Sequence, residues 1–344
     1  GGLPTVPGAR RSSAGVATDT AATSVADRQK AAKMQFGVSI PNYGAAVSGA
    51  RLAEWGSGCE RLGFDLAMVT DHLAQPADVR RAYPEDFYES FAALTFLAAR
   101  TRTIKVGTSV AVLPLRHPLH TARAIATIDQ LSGGRVVFGI GVGGAELEYR
   151  ALGVDFRRRG AIADEYLSVI TQLWRGEITA FAGEFVTFDD VLATPSPAQR
   201  GGPPIWVGGS AAPALRRAVD HDGVWHPTFP TLASLDSGMR AANALAAERG
   251  TRPPGIAPRI RLAIHAEPVP EPDRPLGVGS VDQITADLRD LADRAITAVV
   301  FDPVHHPFMP NAPESRTVAE DNRAWDAIEQ LAAEIVDTRA HSLR

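Results

Sequence analysis

The chain has 344 residues, 45% hydrophobic and 22% charged, with a formal net charge of −4 at pH 7. That composition excludes wholesale disorder and a collagen-like fibre. The mild acidity offers no electrostatic hold for nucleic acid or an anionic membrane. A single cysteine, Cys59, excludes an intrachain disulfide framework and any cysteine-based zinc or iron–sulfur centre; it reads as a small core residue and fits a reducing, cytoplasmic compartment.

No run approaches 18 consecutive apolar residues, so no transmembrane helix is expected. Residues 1–33 are rich in Gly, Ala, Ser and Thr, and no apolar stretch follows Arg10-Arg11. They read as a flexible N-terminal extension rather than a signal peptide, with residues 34–344 as a single domain.

From Met34 onward, short β-branched runs alternate with longer helical patterns. Gln35–Ile40 is a first strand, and Ala50–Leu62 a first helix with Leu52, Trp55, Cys59 and Leu62 at helical spacing. Strands follow at Asp65–Thr70, Ile104–Leu113 and Arg135–Ile140, with helices at Tyr88–Ala99, Thr121–Leu131 and Ile162–Trp174. Glu177–Asp190 breaks the rhythm and reads as a β-hairpin around Ala182-Gly183. The alternation then resumes. Strands are expected at Pro204–Val207, Gly223–Trp225, Ile260–His265 and Thr297–Phe301. Helices are expected at Ala212–Asp220, Leu232–Arg249, Val281–Arg294 and Val318–Ile335.

Eight strand–helix units imply parallel pairing and an α/β fold, a (β/α)8 TIM barrel with a hairpin insertion after helix 4. An open doubly wound sheet is the alternative. It would normally place a phosphate fingerprint after its first strand, whereas this strand runs into Pro41-Asn42-Tyr43-Gly44.

In such a barrel, chemistry sits at the C-terminal strand ends. Those ends carry Tyr43, Asp71, His72, Ser109, Val110, His226, Glu267 and Asp302. Two glycine-rich turns, Gly139–Gly144 and Val207–Ser210, suit a phosphate-bearing ligand, because glycine admits close backbone approach and a helix N-terminus binds anions. His72 and His226 are the leading histidines by position; His117 precedes a proline at a helix start, and His305 and His306 lie in a proline-rich loop. The first strand offers no paired metal ligands, and neither an H-E-x-x-H nor a G-x-S-x-G motif occurs, so neither metal catalysis nor a serine nucleophile is expected.

The segments Val69-Thr70-Asp71-His72, Val106–Val110, Leu115–Pro118, Leu131–Arg135, Gly139–Gly144 and Pro204–Gly209 occur in an order and spacing that resemble one family. It is the bacterial-luciferase-like family of flavin- or deazaflavin-dependent oxidoreductases, and the resemblance runs from Met34 to about Ile335. It implies a cofactor ring at the strand C-termini, backed by a non-prolyl cis peptide at Ser109–Val110. It further implies a cofactor set of Asp71, His72, Ser109, Val110, Val142, Gly143, Gly144, Gly208, Gly209 and Ser210.

Asp71-His72 looks more like the branch that uses coenzyme F420, with FMN as the alternative cofactor. The resemblance then implies hydride transfer between the deazaflavin C5 and a C=C, C=N or C=O group, with His72 moving the proton. Sugar-phosphate dehydrogenases of the family carry a catalytic glutamate in the strand-4 loop. Here Gly144 and Ala145 stand nearest, which argues against a sugar phosphate and leaves Glu146 as a second acid–base candidate. Tyr43 and His226 are expected to touch a small, mainly apolar substrate, and the hairpin is expected to act as a lid or a subunit contact. Other readings are an FMN-dependent monooxygenase and a non-catalytic flavin-binding relative. A homodimer is the family's usual habit.

Overall fold

The computed structural model describes residues 34–271, 274–304 and 318–344; the N-terminal extension and the loop histidines His305 and His306 lie outside the described residues. The first strands are β1 (Gln35–Ser39), β2 (Leu66–Val69) and β3 (Lys105–Thr108), continued by the short β4 (Ala111–Val112) and by β5 (Val136–Gly141). After them come β8 (Ile205–Gly208) and β9 (Val224–His226), then β10 (Gly255–Ile256), β11 (Arg259–Arg261) and β14 (Ala298–Asp302). These runs are short and almost wholly buried, as expected for parallel strands covered on both faces.

Neighbouring strands follow the order β10-β9-β8-β5-β3-β2-β1-β14-β11, with every pairing parallel. The two edge strands of this curled sheet are consecutive parts of one segment. Ala257 N–H donates to the Trp225 carbonyl on one side (2.9 Å), and the Pro258 carbonyl accepts from Val300 N–H on the other (2.9 Å). The sheet therefore meets itself across residues 255–261, consistent with the expected barrel. The seventh strand was expected at Ile260–His265. It starts earlier because Pro258, which has no N–H, still serves the sheet through its carbonyl. Residues beyond Arg261 leave the barrel: β12 (Ala263–Ile264) pairs with β13 (Val278–Gly279).

The expected third strand is likewise divided. A cis peptide joins Ser109 to Val110, as the family resemblance implies, and lies between β3 and β4.

The sheet is surrounded by helices α1 (Gly49–Leu62), α2 (Ala77–Ala82), α3 (Ser90–Arg100), α4 (Pro118–Ser132) and α5 (Glu146–Ala151). They continue with α6 (Arg159–Arg175), α7 (Ala212–Asp220), α8 (Leu232–Arg249), α9 (Val281–Asp293) and α10 (Val318–Gln330). The pattern in α1 is typical. Ser48 caps it by accepting from Arg51 N–H, Leu52, Trp55 and Cys59 face inward, and Gly63 ends it at φ 85°. Cys59 is fully buried, and burial pushes its thiol pKa far up, in keeping with a core residue. Among the described residues, no helix is long and apolar enough to cross a membrane.

Between α6 and β8, β6 (Phe181–Ala182) pairs antiparallel with β7 (Thr187–Phe188). Glu165 of α6 holds the turn by accepting from the N–H groups of Glu184, Phe185 and Val186 at 2.7–2.8 Å. Val186 and Phe188 are buried in the main core. A lid over the barrel mouth would have to break all three bonds to Glu165.

Inside the barrel, alternate residues share a face. Leu66 and Met68, Ala298 and Val300, with Ala257, Val137 and Trp206, form an apolar inner cluster. One residue pair further along the same strands come Thr70, Asp302, Arg259 and His226. The lining thus turns from apolar to polar towards the C-terminal ends.

Glycine at 139 is what lets β5 approach β3. A Cβ there would collide with the Thr108 carbonyl oxygen, a backbone atom that cannot rotate aside. Gly139→Ala is expected to destabilise the fold by about 3 kcal/mol or to prevent folding, beyond ordinary overpacking. Urea denaturation of the variant beside the parent chain measures this.

Candidate active site

The polar layer is one connected cluster. Arg259 and Asp302 are both nearly fully buried. The guanidinium donates from Nε and Nη2 to Asp302 Oδ2 (2.9 and 2.6 Å), and from Nη1 to the Ser109 carbonyl (2.7 Å) and Thr70 Oγ1 (3.3 Å). The other carboxylate oxygen, Oδ1, accepts from Val304 N–H (3.1 Å). Arg259 is held in its charged form despite burial, because Asp302 is beside it.

His226 belongs to this cluster rather than to the mouth. It was expected to touch substrate but has no exposed surface. The strand continues one residue past its expected end, which places His226 inside the barrel. Its Nδ1–H donates to the Ala257 carbonyl, which fixes the tautomer, and Ser109 Oγ donates to Nε2 (2.8 Å). Burial pushes its pKa down to about 4, so the ring is neutral at pH 7.

Asp71 is also committed within the protein. Its carboxylate pairs with Arg116 (Oδ1 to Nη2 2.6 Å, Oδ2 to Nε 3.1 Å) and accepts from Ser90 Oγ (2.7 Å) and Val112 N–H (2.8 Å). Arg116 also reaches Glu89 (2.6 Å) and lies over the Phe91 ring, 4.0 Å from its centroid. The Asp71 side chain, expected to bind cofactor, instead ties the loop after β2 to β4 and α3.

His72, the next residue, faces the mouth. Its side chain is 19% exposed, and Nδ1 lies 2.9 Å from Oε2 of the buried Glu148. The other oxygen of Glu148 accepts from the N–H groups of Leu73 (2.7 Å) and Ala74 (3.1 Å). A carboxylate can only accept here, so His72 donates from Nδ1 and Nε2 is left for proton exchange. Tyr83 and Phe87 flank the imidazole, with ring centroids at 5.1 and 5.5 Å. Tyr43 packs against both of those rings, at 4.6 and 5.3 Å, and so stands in the aromatic wall beside His72.

Glu146, the expected acid–base candidate, is exposed at the start of α5, whereas Glu148 faces inward. Two residues on a helix are about 200° apart, so only one of the two can face His72. The available signal was the apolar Tyr149 beside Glu148, which marks the buried side of α5.

The glycine turns divide between two tasks. A Cβ at Gly141 or Gly208 would press into the Val110 methyl groups, so these positions make room for Val110. Gly143 (φ 60°) and Gly144 are exposed, and nothing lies within 4 Å of a Cβ placed at Gly144. Gly209 (φ 103°) and the exposed Ser210 lead into α7, whose N-cap Ala211 provides no side-chain hydrogen bond. Val142 is half-buried, and its carbonyl accepts from the Tyr149 hydroxyl. The strand pairing of β5 with β8 puts both turns on one edge of the mouth. Exposed backbone and an uncapped helix start suit the phosphate of a flavin-type cofactor. Among the described residues, no group of three or more His, Cys, Asp or Glu is placed to hold a metal ion.

A curled parallel α/β sheet with its polar residues and glycine turns gathered at one end is the arrangement of a barrel-type enzyme. The chain belongs to the luciferase-like monooxygenase family, whose model matches residues 34–274. It is 32% identical over 190 residues to the 5,10-methylenetetrahydromethanopterin reductase of Archaeoglobus fulgidus, covering 53% of this chain and 52% of that protein. The chain spans 52% of the length of that reductase and 62% of an uncharacterised protein of Mycobacterium bovis to which it is also 32% identical. Among solved structures, an F420-dependent secondary alcohol dehydrogenase in complex with an F420-acetone adduct superposes with a TM-score of 0.68 at 16% identity, covering 89% of this chain and 99% of that one. The oxygenating constituent of 3,6-diketocamphane monooxygenase from Pseudomonas putida, in complex with FMN, gives 0.64 at 17%, covering 88% and 97%. These two likenesses show the fold.

The lowered pKa of His226 has a consequence for stability. An unfolded histidine takes up its proton near pH 6.5, whereas the folded one resists until about 4. The unfolded state therefore binds more protons in that window, and stability falls as pH drops from 6.5 towards 4. The share from His226 is about 3 kcal/mol. Urea denaturation at pH 7 and pH 4.5 should show a smaller pH-dependent loss in His226→Gln than in the parent chain.

Proposed function

We propose that this protein is a coenzyme F420-dependent oxidoreductase acting on a small organic substrate. The observation that carries the reading is the His72–Glu148 pair at the barrel mouth, beside an aromatic wall. The similarity to a methylenetetrahydromethanopterin reductase and to an F420-dependent alcohol dehydrogenase supports it. Coenzyme F420, when bound, supplies or accepts hydride at its deazaflavin C5. Gly143, Gly144, Gly209 and Ser210 would hold its phosphate, with the N–H groups opening α7. Val110 would back the ring from the bulge between β3 and β4.

His72 holds or gives a proton at Nε2, while Glu148 fixes the imidazole tautomer. Tyr43, Tyr83 and Phe87 keep water from one side of the imidazole. A homodimer is proposed as the assembly, and a closed eight-stranded barrel with the β6–β7 hairpin as its insertion is the proposed full architecture.

A second reading is an FMN-dependent monooxygenase. The solved FMN complex with the same fold favours it, and a glycine edge accepts the phosphate of either cofactor. Equilibrium titration with oxidised coenzyme F420 and, separately, FMN, followed by fluorescence quenching, decides between them. Tight F420 binding with weak FMN binding is expected; the reverse preference establishes the second reading.

With a substrate in hand, His72→Ala should lower turnover by about 10²–10⁴-fold with little change in cofactor affinity. Glu148→Gln removes the carboxylate that fixes the imidazole tautomer, so turnover should fall in this variant as well. Unchanged rates in both variants would exclude His72 as the proton carrier.

A further inference from the structure

Arg261 is the next residue on the inward face of β11 after Arg259, two positions along the strand. Both guanidiniums lie against the same ring, that of Phe229, at 5.9 Å for Arg259 and 4.9 Å for Arg261. Arg259 faces the polar layer within the barrel, so Arg261 stands one step nearer the mouth. Their settings differ sharply. Arg259 has a carboxylate, a carbonyl and two hydroxyls for its donors. Arg261 makes no ion pair with any of the described residues, and its Nε is buried without a hydrogen-bond partner.

The nearest carboxylate does not supply that partner. Oδ2 of Asp302 takes two bonds from Arg259, and Oδ1 takes the Val304 N–H. Burial lowers the Arg261 pKa and the nearby charge of Asp302 offsets this only in part, so the guanidinium has lost water without gaining a bonded anion. A planar guanidinium held against an aromatic ring keeps its fork of donors pre-aligned for a two-oxygen anion.

We propose that Arg261, braced by Phe229, is the subsite for an anionic group of the substrate, so that the substrate is an organic acid with a carboxylate or phosphate. The proposal rests on the oxidoreductase reading only in placing the substrate at the barrel mouth. It adds a charged anchor to the mainly apolar molecule expected from the sequence.

The test uses the full chain and calorimetric titration with benzoate and its neutral counterpart benzamide. The parent chain should bind benzoate at least about tenfold more tightly than benzamide, the strength of a charge-assisted bond. Arg261→Gln should abolish that preference, and Arg261→Lys, which keeps the charge but not the fork, should retain part of it. Melting curves establish that both variants are folded. Equal binding of the two probes by the parent chain overturns the proposal, as does a preference that survives in Arg261→Gln. A third outcome also overturns it: Arg261→Gln weakens F420 or FMN binding while the benzoate preference stands, which would assign Arg261 to the cofactor. Failure of the parent chain to bind either cofactor would instead refute the oxidoreductase reading, and the benzoate result would stand apart from it.

Discussion

A guanidinium can occupy the inside of a barrel only with an anion beside it, because an isolated buried charge loses several kcal/mol of hydration that nothing returns. Arg259 and Asp302 meet that condition on adjacent strands β11 and β14. The remaining donors of Arg259 reach the loop after β2 through Thr70 and the bulge after β3 through Ser109. Ser109 then donates to His226 at the end of β9, and His226 to Ala257 between β10 and β11. One ion pair thus organises polar groups from five strand ends. The apolar cluster beneath it needs only the right volume, whereas this layer needs the right partners in the right places.

A second buried pair does the same for the wall. Asp71 and Arg116 bind the loop after β2 to β4 and α3, and this loop carries His72. The two adjacent residues therefore differ in kind. Asp71 spends its charge inward, and His72 turns outward to Glu148 and the mouth. Loops are the mobile parts of most barrels, yet this one is held by Glu148 at the N–H groups of Leu73 and Ala74 as well. The same carboxylate that orients the imidazole also fixes the backbone that presents it. That double use favours a pre-arranged site over one assembled only on binding.

The β/α rhythm was legible because a strand buried on both faces is a short apolar run and a helix over it is amphipathic. Val137 and Phe138, or Leu52, Trp55 and Cys59, announce their elements unaided. The helix at Ala212–Asp220 lies exactly where its pattern places it. The seventh strand was misplaced because the proline at 258 hides a strand that uses its carbonyl and dispenses with an N–H. Glu148 was missed for a different reason. Glu146 and Glu148 have the same chemistry, and the start of α5 decides which one turns inward. His226 was read as a mouth residue because a one-residue error at a strand end moves a side chain from rim to interior.

Residue order alone determined the class of fold, the family pattern, the glycine turns and the place of His72 just after a strand, since each depends on local spacing or on a short contiguous motif. Tertiary structure decided the partners. That Asp71 faces Arg116, that Glu148 faces His72 and that Arg259 faces Asp302 are contacts between residues 43 to 76 positions apart, and two arginines only two positions apart have opposite surroundings. Charge is written in the sequence, but its cost and its use depend on what lies within about 3–4 Å, and only the folded chain brings those atoms together.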